Sequence, residues 1–486
     1  MLLRQLVCAF FTALTLAVTT PAVAGGAVLS GKVSSAEEGQ MEGVVVSAKK
    51  GIVTVSVVSN DKGEFSFPAD KLQPGDYALS VKAGGYDLDG PKTVTLSEKP
   101  QAIDVKLVKT KNISPQLSNQ EWIHSVPGTT QQKRILSRCV NCHSIERVVA
   151  SKYTADEFIK VMERMASYSN NSFFMKPQVR MVARDMERFV PEAGKDAAYL
   201  ASINLSTGER KFEPKPLPRV TGRGTRVVIT EYDLPRKDCQ PHDVIVDKEG
   251  IVWYSDFSDQ FLGRFDPKTL AFKEYPVPLQ RDGWPTGALD LEVDPDGNLW
   301  LALMFQAGLA KFDKKTEKIQ TFQLHKDVLK EDSQQAMVGA QHWTVDGKVW
   351  MNDPSLPGLH RIDLKTGETE SWRPYENLPK APHSVYGVYA DKDNNAWFMD
   401  FGGENVGFVD AKTKEVTLYP TPTKRSRPRR GRFDDEGKLW FAEFGGERIG
   451  MFDTKTKMFK EWALPTEEFV PYDVVRDKNG DVWAGG

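Results

Sequence analysis

Cysteine and histidine are both scarce in this 486-residue chain, with four of one and seven of the other. Cys8 lies in the amino-terminal apolar run, which leaves Cys139, Cys142 and Cys239 for the body of the protein. Three cysteines cannot build a disulfide framework, and an oxidising compartment would close an idle, exposed pair. Charge of one sign is lacking too: 64 Lys and Arg stand against 66 Asp and Glu, a net charge of −2. Such a balance gives no bulk attraction for nucleic acid or a membrane surface. Beyond residue 26 no stretch is apolar enough to span a bilayer, so no integral membrane segment is expected after processing.

What is present starts with "MLLRQLVCAFFTALTLAVTTPAVAGG": a basic start at Arg4, an apolar run, and small residues before Gly25. This pattern reads as a signal peptide over 1–24, cleaved after Ala24. Val7 before Cys8 is not the small residue a lipidated cysteine requires. The mature protein is expected in the periplasm of a bacterium or secreted.

Export makes "SRCVNCHSIERV" (137–148) informative. A thioredoxin-like pair needs a βαβ setting and a zinc ribbon needs a second C-x-x-C; neither is visible. C-x-x-C-H is the haem c attachment pattern, in which Cys139 and Cys142 form thioethers and His143 ligates iron. Around it, "TADEFIKVMERMA" opens with Thr154 and Glu157 in capping-box spacing and predicts a helix with Phe158, Val161, Met162 and Met165 on one apolar face. "GKDAAYLASINLS" supplies a last helix. Over about residues 115–206 the segment resembles the class I cytochrome c family. The resemblance implies covalent haem c, with His143 proximal and a methionine distal: Met165 first, then Met175, with Met181 and Met186 also eligible by position.

Between 25 and 110, short alternating runs such as "AVLSGKVSS", "TVSVVSN" and "DYALSVKAGGY", separated by turns such as "NDKG" and "LQPGD", predict an antiparallel sandwich. The segment "SNDKGEFSFPADKLQPGDYALSVKAGGY" resembles the carboxypeptidase regulatory-like (transthyretin-like) family, which implies a spacer or adhesive module.

From residue 225 the sequence repeats. Trp253, Trp300, Trp350, Trp397, Trp440 and Trp483 recur at intervals of 47, 50, 47, 43 and 43 residues. Each follows a "DxxG"-like turn, and a second turn, "FDPKT" to "FDTKT", comes later in each unit. Four strands in a unit of this length make a β-propeller blade. "VVITEYDLP" (227–235) is expected to complete the last blade. The chain ends two strands into the sixth unit, so the complete protein is expected to continue. The repeat resembles the virginiamycin B lyase (streptogramin lyase) family of seven-bladed propellers.

The expected architecture is therefore multidomain and mainly β: sandwich (25–110), small all-α cytochrome c domain (111–212), then a six- or seven-bladed propeller (213–486). Ligands meet a propeller at the mouth of its channel. Counting back eleven residues from each Trp gives His242, Leu289, Tyr386, Arg429 and Tyr472, with Asp243, Arg430 and Asp473 next in register. His383 sits just ahead of Tyr386, and a shorter third blade is expected to bring His342 nearby. Histidines and acids can hold a divalent metal or move protons; Arg429 and Arg430 can bind an anion. The lyase family uses histidine, glutamate and magnesium from later blades, yet no histidine follows His383. No catalytic residue carries over. Cys239 reads as a structural thiol, and "KRSRPRRGR" (424–432) as a loop entering a strand.

Three functions stay open. The first is haem-dependent electron transfer to a periplasmic redox partner, with the propeller binding, and as a candidate oxidising, an anionic small molecule. The second is metal-assisted elimination on a cyclic ester. The third is a non-catalytic periplasmic binding module.

Overall fold

The computed structural model describes residues 27–140, 142–179, 193–355, 358–378, 383–466 and 469–486. The leader and the two candidates Met181 and Met186 lie outside them. The chain forms two compact units, one of residues up to Gln116 with Leu217–Asp233, the other of Leu117–Pro216 with Leu234–Gly486.

The first unit is a sandwich of two sheets. Its core draws on inward positions of alternating strands, including Leu29, Val33, Val46, Phe65, Phe67 and Tyr86. The sandwich is not wholly antiparallel as expected: strand Ala27–Ser35 runs parallel to Val105–Lys109 and to Gln101–Ala102. "VITEY" (Val228–Tyr232) also departs from expectation. It pairs antiparallel with Val53–Val58 and extends the sandwich sheet, so it does not complete a blade. Alternation specifies a strand but not its partner. The preceding chain is already tied to the sandwich, where Arg219 donates to the Glu42 carbonyl (2.8 Å) and pairs with Glu38.

The second unit begins with helices α1 (Asn119–Ser125), α2 (Thr130–Cys139), α3 (Glu146–Val149), α4 (Ala155–Ala166) and α5 (Ala193–Ile203). Reciprocal capping boxes start three of them: Ser118 with Glu121, Thr129 with Gln132, and Thr154 with Glu157. Each satisfies two N–H groups that a helix start leaves orphaned. Helix α4 buries Phe158, Met162 and Ala166 and packs on α5. The buried stripe is rotated from the expected face, and Met165 is 37% exposed.

Five four-stranded antiparallel sheets follow, then a two-stranded one. They are blades one (241–276), two (288–323), three (338–372), four (385–420) and five (428–463), and the partial blade six (473–485). All six repeat tryptophans lie on second strands. Their role is visible in the hydrogen bonds. Asp247, Asp294, Asp391, Asp434 and Asp477 each accept the indole N–H of the Trp six residues later, at 2.8 to 3.2 Å. Their other oxygens accept backbone N–H groups two and four residues on, as at Asp247 with Glu249 and Ile251. One carboxylate thus closes the turn and pins the tryptophan. In the later turns Asp313, Asp363, Asp410 and Asp453 accept from the N–H groups two and three residues on. The closing residue then takes positive φ, and only blade three places glycine there, Gly367. Trp253, Trp300, Trp350 and Trp397 are buried, each covered by its neighbouring blade, whereas Trp483 in the partial blade is 63% exposed.

Blade three is the exception, and it displaces one expected residue. Trp350 donates to the Asn394 carbonyl instead of a turn acid. It also pairs with Gly339, eleven residues back, whereas Trp300 pairs with Glu292, eight back. The short helix Trp343–Val345 fills the difference. The connection is longer, not shorter, so the position matching His242 is Ala336. His342 lies toward the opposite end of the channel, before Trp343, whose indole bonds the turn acid Asp294.

Candidate functional site at the propeller mouth

The innermost strand of blades one, two, four and five carries the same irregularity. Pairing slips between Pro241 and Val244, Ala288 and Leu291, Val385 and Val388, and Pro428 and Gly431. A β-bulge re-aims side chains where it falls. Here it lets two consecutive residues, His242 with Asp243 and Arg429 with Arg430, both engage partners across the channel.

The lower of these two layers is ionic. Arg430, 2% exposed, makes a bidentate pair with Asp243 of blade one and reaches Asp290 of blade two at 2.6 Å. The guanidinium holds the Asp243 carboxyl well below the usual range, while burial raises that of Asp290. Arg432 lies 3.7 Å from both Glu292 and Asp473. Asp243 and Arg430 therefore spend their charge on each other and form the floor of the mouth. The channel acids are already met by guanidinium groups, so the described residues do not fit a divalent metal there.

The upper layer is a directed hydrogen-bond chain. His242 Nδ1 lies 2.8 Å from Asp243, and its Nε2 lies 2.8 Å from the Tyr472 hydroxyl. A carboxylate only accepts, so Nδ1 carries the proton and Nε2 accepts from Tyr472. Tyr472 in turn accepts from Tyr386 (3.2 Å), and Tyr386 accepts from Arg429 (3.4 Å). Burial pushes the Tyr472 phenol above its ordinary range, which keeps it protonated as the chain requires. The chain brings together His242, Tyr386, Arg429 and Tyr472 from four blades.

Arg429 stands apart from the other channel cations. Its guanidinium lies 3.5 Å from the centre of the Tyr472 ring and 4.8 Å from those of Tyr386 and Phe401. Its Nε is buried without a hydrogen bond, and no carboxylate pairs with it among the described residues. Arg427 lies beside it, 4.4 Å from the Phe401 ring, and donates to the Phe401 carbonyl. The phenylalanines at this rim, Phe257, Phe401 and Phe444, were missed in the sequence. Their signal was there: each lies four residues after a repeat tryptophan.

His383 lies on the blade-four rim and does not join the chain. Its Nδ1 is 2.8 Å from buried Asp400, and its ring stacks on Tyr375 at 4.0 Å. At the mouth-side end of blade one, Cys239 lies among Asp256 and Glu274, within 4.8 Å. Arg236 already pairs with both acids, and burial raises the Cys239 thiol to about 12. It is a structural thiol.

The C-x-x-C-H motif occupies the end of α2. The Cys142 and His143 N–H groups both turn back to the Cys139 carbonyl at 3.4 Å. Cys139, Cys142 and Cys239 are unbridged. His143 Nδ1 lies 3.0 Å from the Ser144 carbonyl; a carbonyl only accepts, so Nε2 keeps its lone pair. Met175, in the loop after α4, is 74% exposed.

A β-propeller with an aromatic-rimmed, cationic mouth, joined to helices and a sandwich, is thus the class of protein. The virginiamycin B lyase family model matches residues 217–486, more than half of the chain, which belongs to that family. The carboxypeptidase regulatory-like domain model matches 28–108. No curated protein gives a significant match. Similar solved structures include a streptogramin B lyase (23% identity, 54% of this chain and 80% of that one, TM-score 0.44). Others are virginiamycin B lyase from Staphylococcus aureus (21%, 53% and 80%, 0.43) and hydrazine synthase from Kuenenia stuttgartiensis (12%, 50% and 80%, 0.40).

Proposed function

We propose that this is an exported haem c protein that transfers electrons, and that its propeller mouth binds and oxidises an anionic small molecule. The observation that carries the reading is Arg429. A half-buried guanidinium without a carboxylate partner, walled by aromatic rings, is a ready site for an anion. Binding there would draw Arg429 from Tyr386, the donor end of the chain that runs to His242. The imidazole, held in one tautomer by Asp243, is the group suited to accept a proton from the ligand or from Tyr472.

The helical segment fits haem c in its donor set: two unbridged thiols at the required spacing and an imidazole whose Nε2 is free. When bound, such a haem supplies one-electron redox chemistry. Cys139 and Cys142 would hold it covalently, and His143 with Met165 or Met175 would ligate its iron. The amino-terminal leader pattern supports export, and a periplasmic redox partner would take the electrons. No helix among the described residues is long and apolar enough to cross a membrane.

The test is an optical spectrum of the full chain, exported from a host that matures c-type haem, before and after dithionite. Sharp reduced bands that survive acid-acetone extraction are expected. A colourless protein beside a coloured control cytochrome overturns the reading. Family membership favours a second one, elimination on a cyclic ester with His242 as base. Turnover of such an ester without change in haem oxidation state would establish it.

A further inference from the structure

The mouth around Arg429 is walled by rings. In one direction the wall runs from the guanidinium to Phe444 of blade five at 5.1 Å. It continues to Phe401 of blade four, met edge-on at 5.1 Å, and to Tyr386 at 5.6 Å. In the other direction it runs through Tyr472 to His242, 5.8 Å away, and then to Phe257 of blade one at 5.3 Å. Phe257 lies nearly parallel to Phe305 of blade two, their centres 6.2 Å apart. The two arms meet, because Phe257, Phe305 and Phe401 all pack on the apolar cluster that holds Tyr386 and Leu289. The four phenylalanines are each half-buried, so part of every ring stays open. The mouth is an aromatic collar.

This collar is firm and carries its charge on one side. A hairpin from the helical segment, closed by the Ser169 N–H on the Gln178 carbonyl at 2.8 Å, docks beside Phe257. Asn171, fully buried, donates its side-chain N–H groups to the Phe257 and Thr286 carbonyls. Gln178 accepts from the Thr286 N–H and donates to the Ser258 carbonyl, both at 2.8 Å. Beneath the collar Arg430 is spent on Asp243 and Asp290, which closes the floor. Arg427 lies over the same two rings as Arg429, 4.4 Å from Phe401 and 5.1 Å from Phe444, and its Nε donates to the Phe401 carbonyl. The two cations thus share one side of the collar and together face one anionic group. The rest of the wall is ring carbon, phenol and a neutral imidazole.

We infer that the ligand of the mouth is an aromatic monocarboxylate. Its carboxylate meets Arg429 in a charge-assisted contact, with Arg427 beside it. Its ring lies within the collar, where edge-on and offset ring contacts add to simple apolar burial. A saturated ring of like size gains the burial without that addition. A dianion would hold its second charge against ring carbon, without a partner. This rests on the anion-binding reading of the mouth and adds the chemical class of the body that carries the charge.

The experiment is calorimetric titration of the full chain at low ionic strength with benzoate, cyclohexanecarboxylate, acetate and neutral benzamide. Benzoate is expected to bind about three- to tenfold more tightly than cyclohexanecarboxylate, the worth of ring contacts beyond burial. It is expected to exceed acetate and benzamide by at least about tenfold, for want of a body in one and of a charge in the other. In Phe444→Leu and Phe401→Leu the preference for benzoate over cyclohexanecarboxylate disappears, while acetate affinity, which reports the guanidinium, is unchanged. Arg429→Gln weakens all three carboxylates and leaves benzamide as it was. An unchanged melting temperature checks that each variant folds. Cyclohexanecarboxylate binding as tightly as benzoate to the parent chain overturns the aromatic class and leaves the anion reading standing. Full retention of the benzoate preference in both folded phenylalanine variants overturns the collar as the place of the ring. Benzamide binding as tightly as benzoate overturns the anion reading, and binding of no probe overturns both.

Discussion

Blades one and five carry the same buried acid pair and neutralise it differently. In blade one Asp256 lies three residues after the repeat tryptophan, and Glu274 sits opposite Gly263 on the fourth strand. In blade five Glu443 and Glu461 hold the matching places, with Glu461 opposite Gly450. Arg236 inserts between the acids of blade one. The residue in its place in blade five is Thr423, which donates its N–H and hydroxyl to Glu461 only. Among the described residues no donor reaches either oxygen of Glu443. Burial, then Glu461, raises its carboxyl to about 8, so it keeps a proton, whereas Asp256 is met by the Arg236 guanidinium. The inner strands are inverted as well, Asp243 in blade one facing Arg430 in blade five. A repeat fixes backbone geometry, while single side chains decide whether a buried acid is paired or protonated.

Breaking the cross-channel pair should give the largest effect. Arg430→Gln leaves Asp243 and Asp290 buried without their cation, and should cost about 3–5 kcal/mol of unfolding free energy in urea titration. A loss under about 1 kcal/mol would mean the channel is wetter than the geometry shows. Arg236→Gln should cost less, about 1–3 kcal/mol, because the guanidinium is partly exposed. It should also make blade one resemble blade five, adding a loss of stability as pH rises.

Glu443→Gln sharpens the comparison from the other side. The folded carboxyl binds its proton more tightly than the unfolded one, so the folded state holds more protons between the ordinary value of 4.5 and about 8. Stability contributed by the protonated acid is complete below 4.5 and declines as pH rises through that window. The glutamine variant should match the parent near pH 4 and exceed it by about 1–2 kcal/mol at pH 9, measured by denaturant midpoints. A parallel pH dependence in both proteins would show that Glu443 is ionised throughout. The smallest expected change in stability is in Arg429→Gln, within about 0.5 kcal/mol, because the residue pairs with no acid. Its effect should appear instead as lost anion binding.

Much of this was legible in the chain. The tryptophan interval identified blades because the turn acid six residues ahead bonds the indole, a local device that repeats with the sequence. The capping boxes gave helix starts for the same reason. Counting back from tryptophan placed His242, Tyr386 and Arg429 at one level, since the bulges of blades one, four and five fall at one register. It failed at His342, because three extra residues in blade three are absorbed by a short helix that spacing alone does not reveal. It could not separate Arg429 from Arg430, neighbours with opposite roles.

The sequence by itself determined the elements, the blade repeat and the spacing of the two thiols and imidazole at 139, 142 and 143, because all of these are set within a few residues. The tertiary structure alone decided which strand "VITEY" joins, which arginine is spent on structure, and which acid goes without a cation. Those outcomes depend on burial and on partners up to 187 residues apart, and no local pattern encodes them.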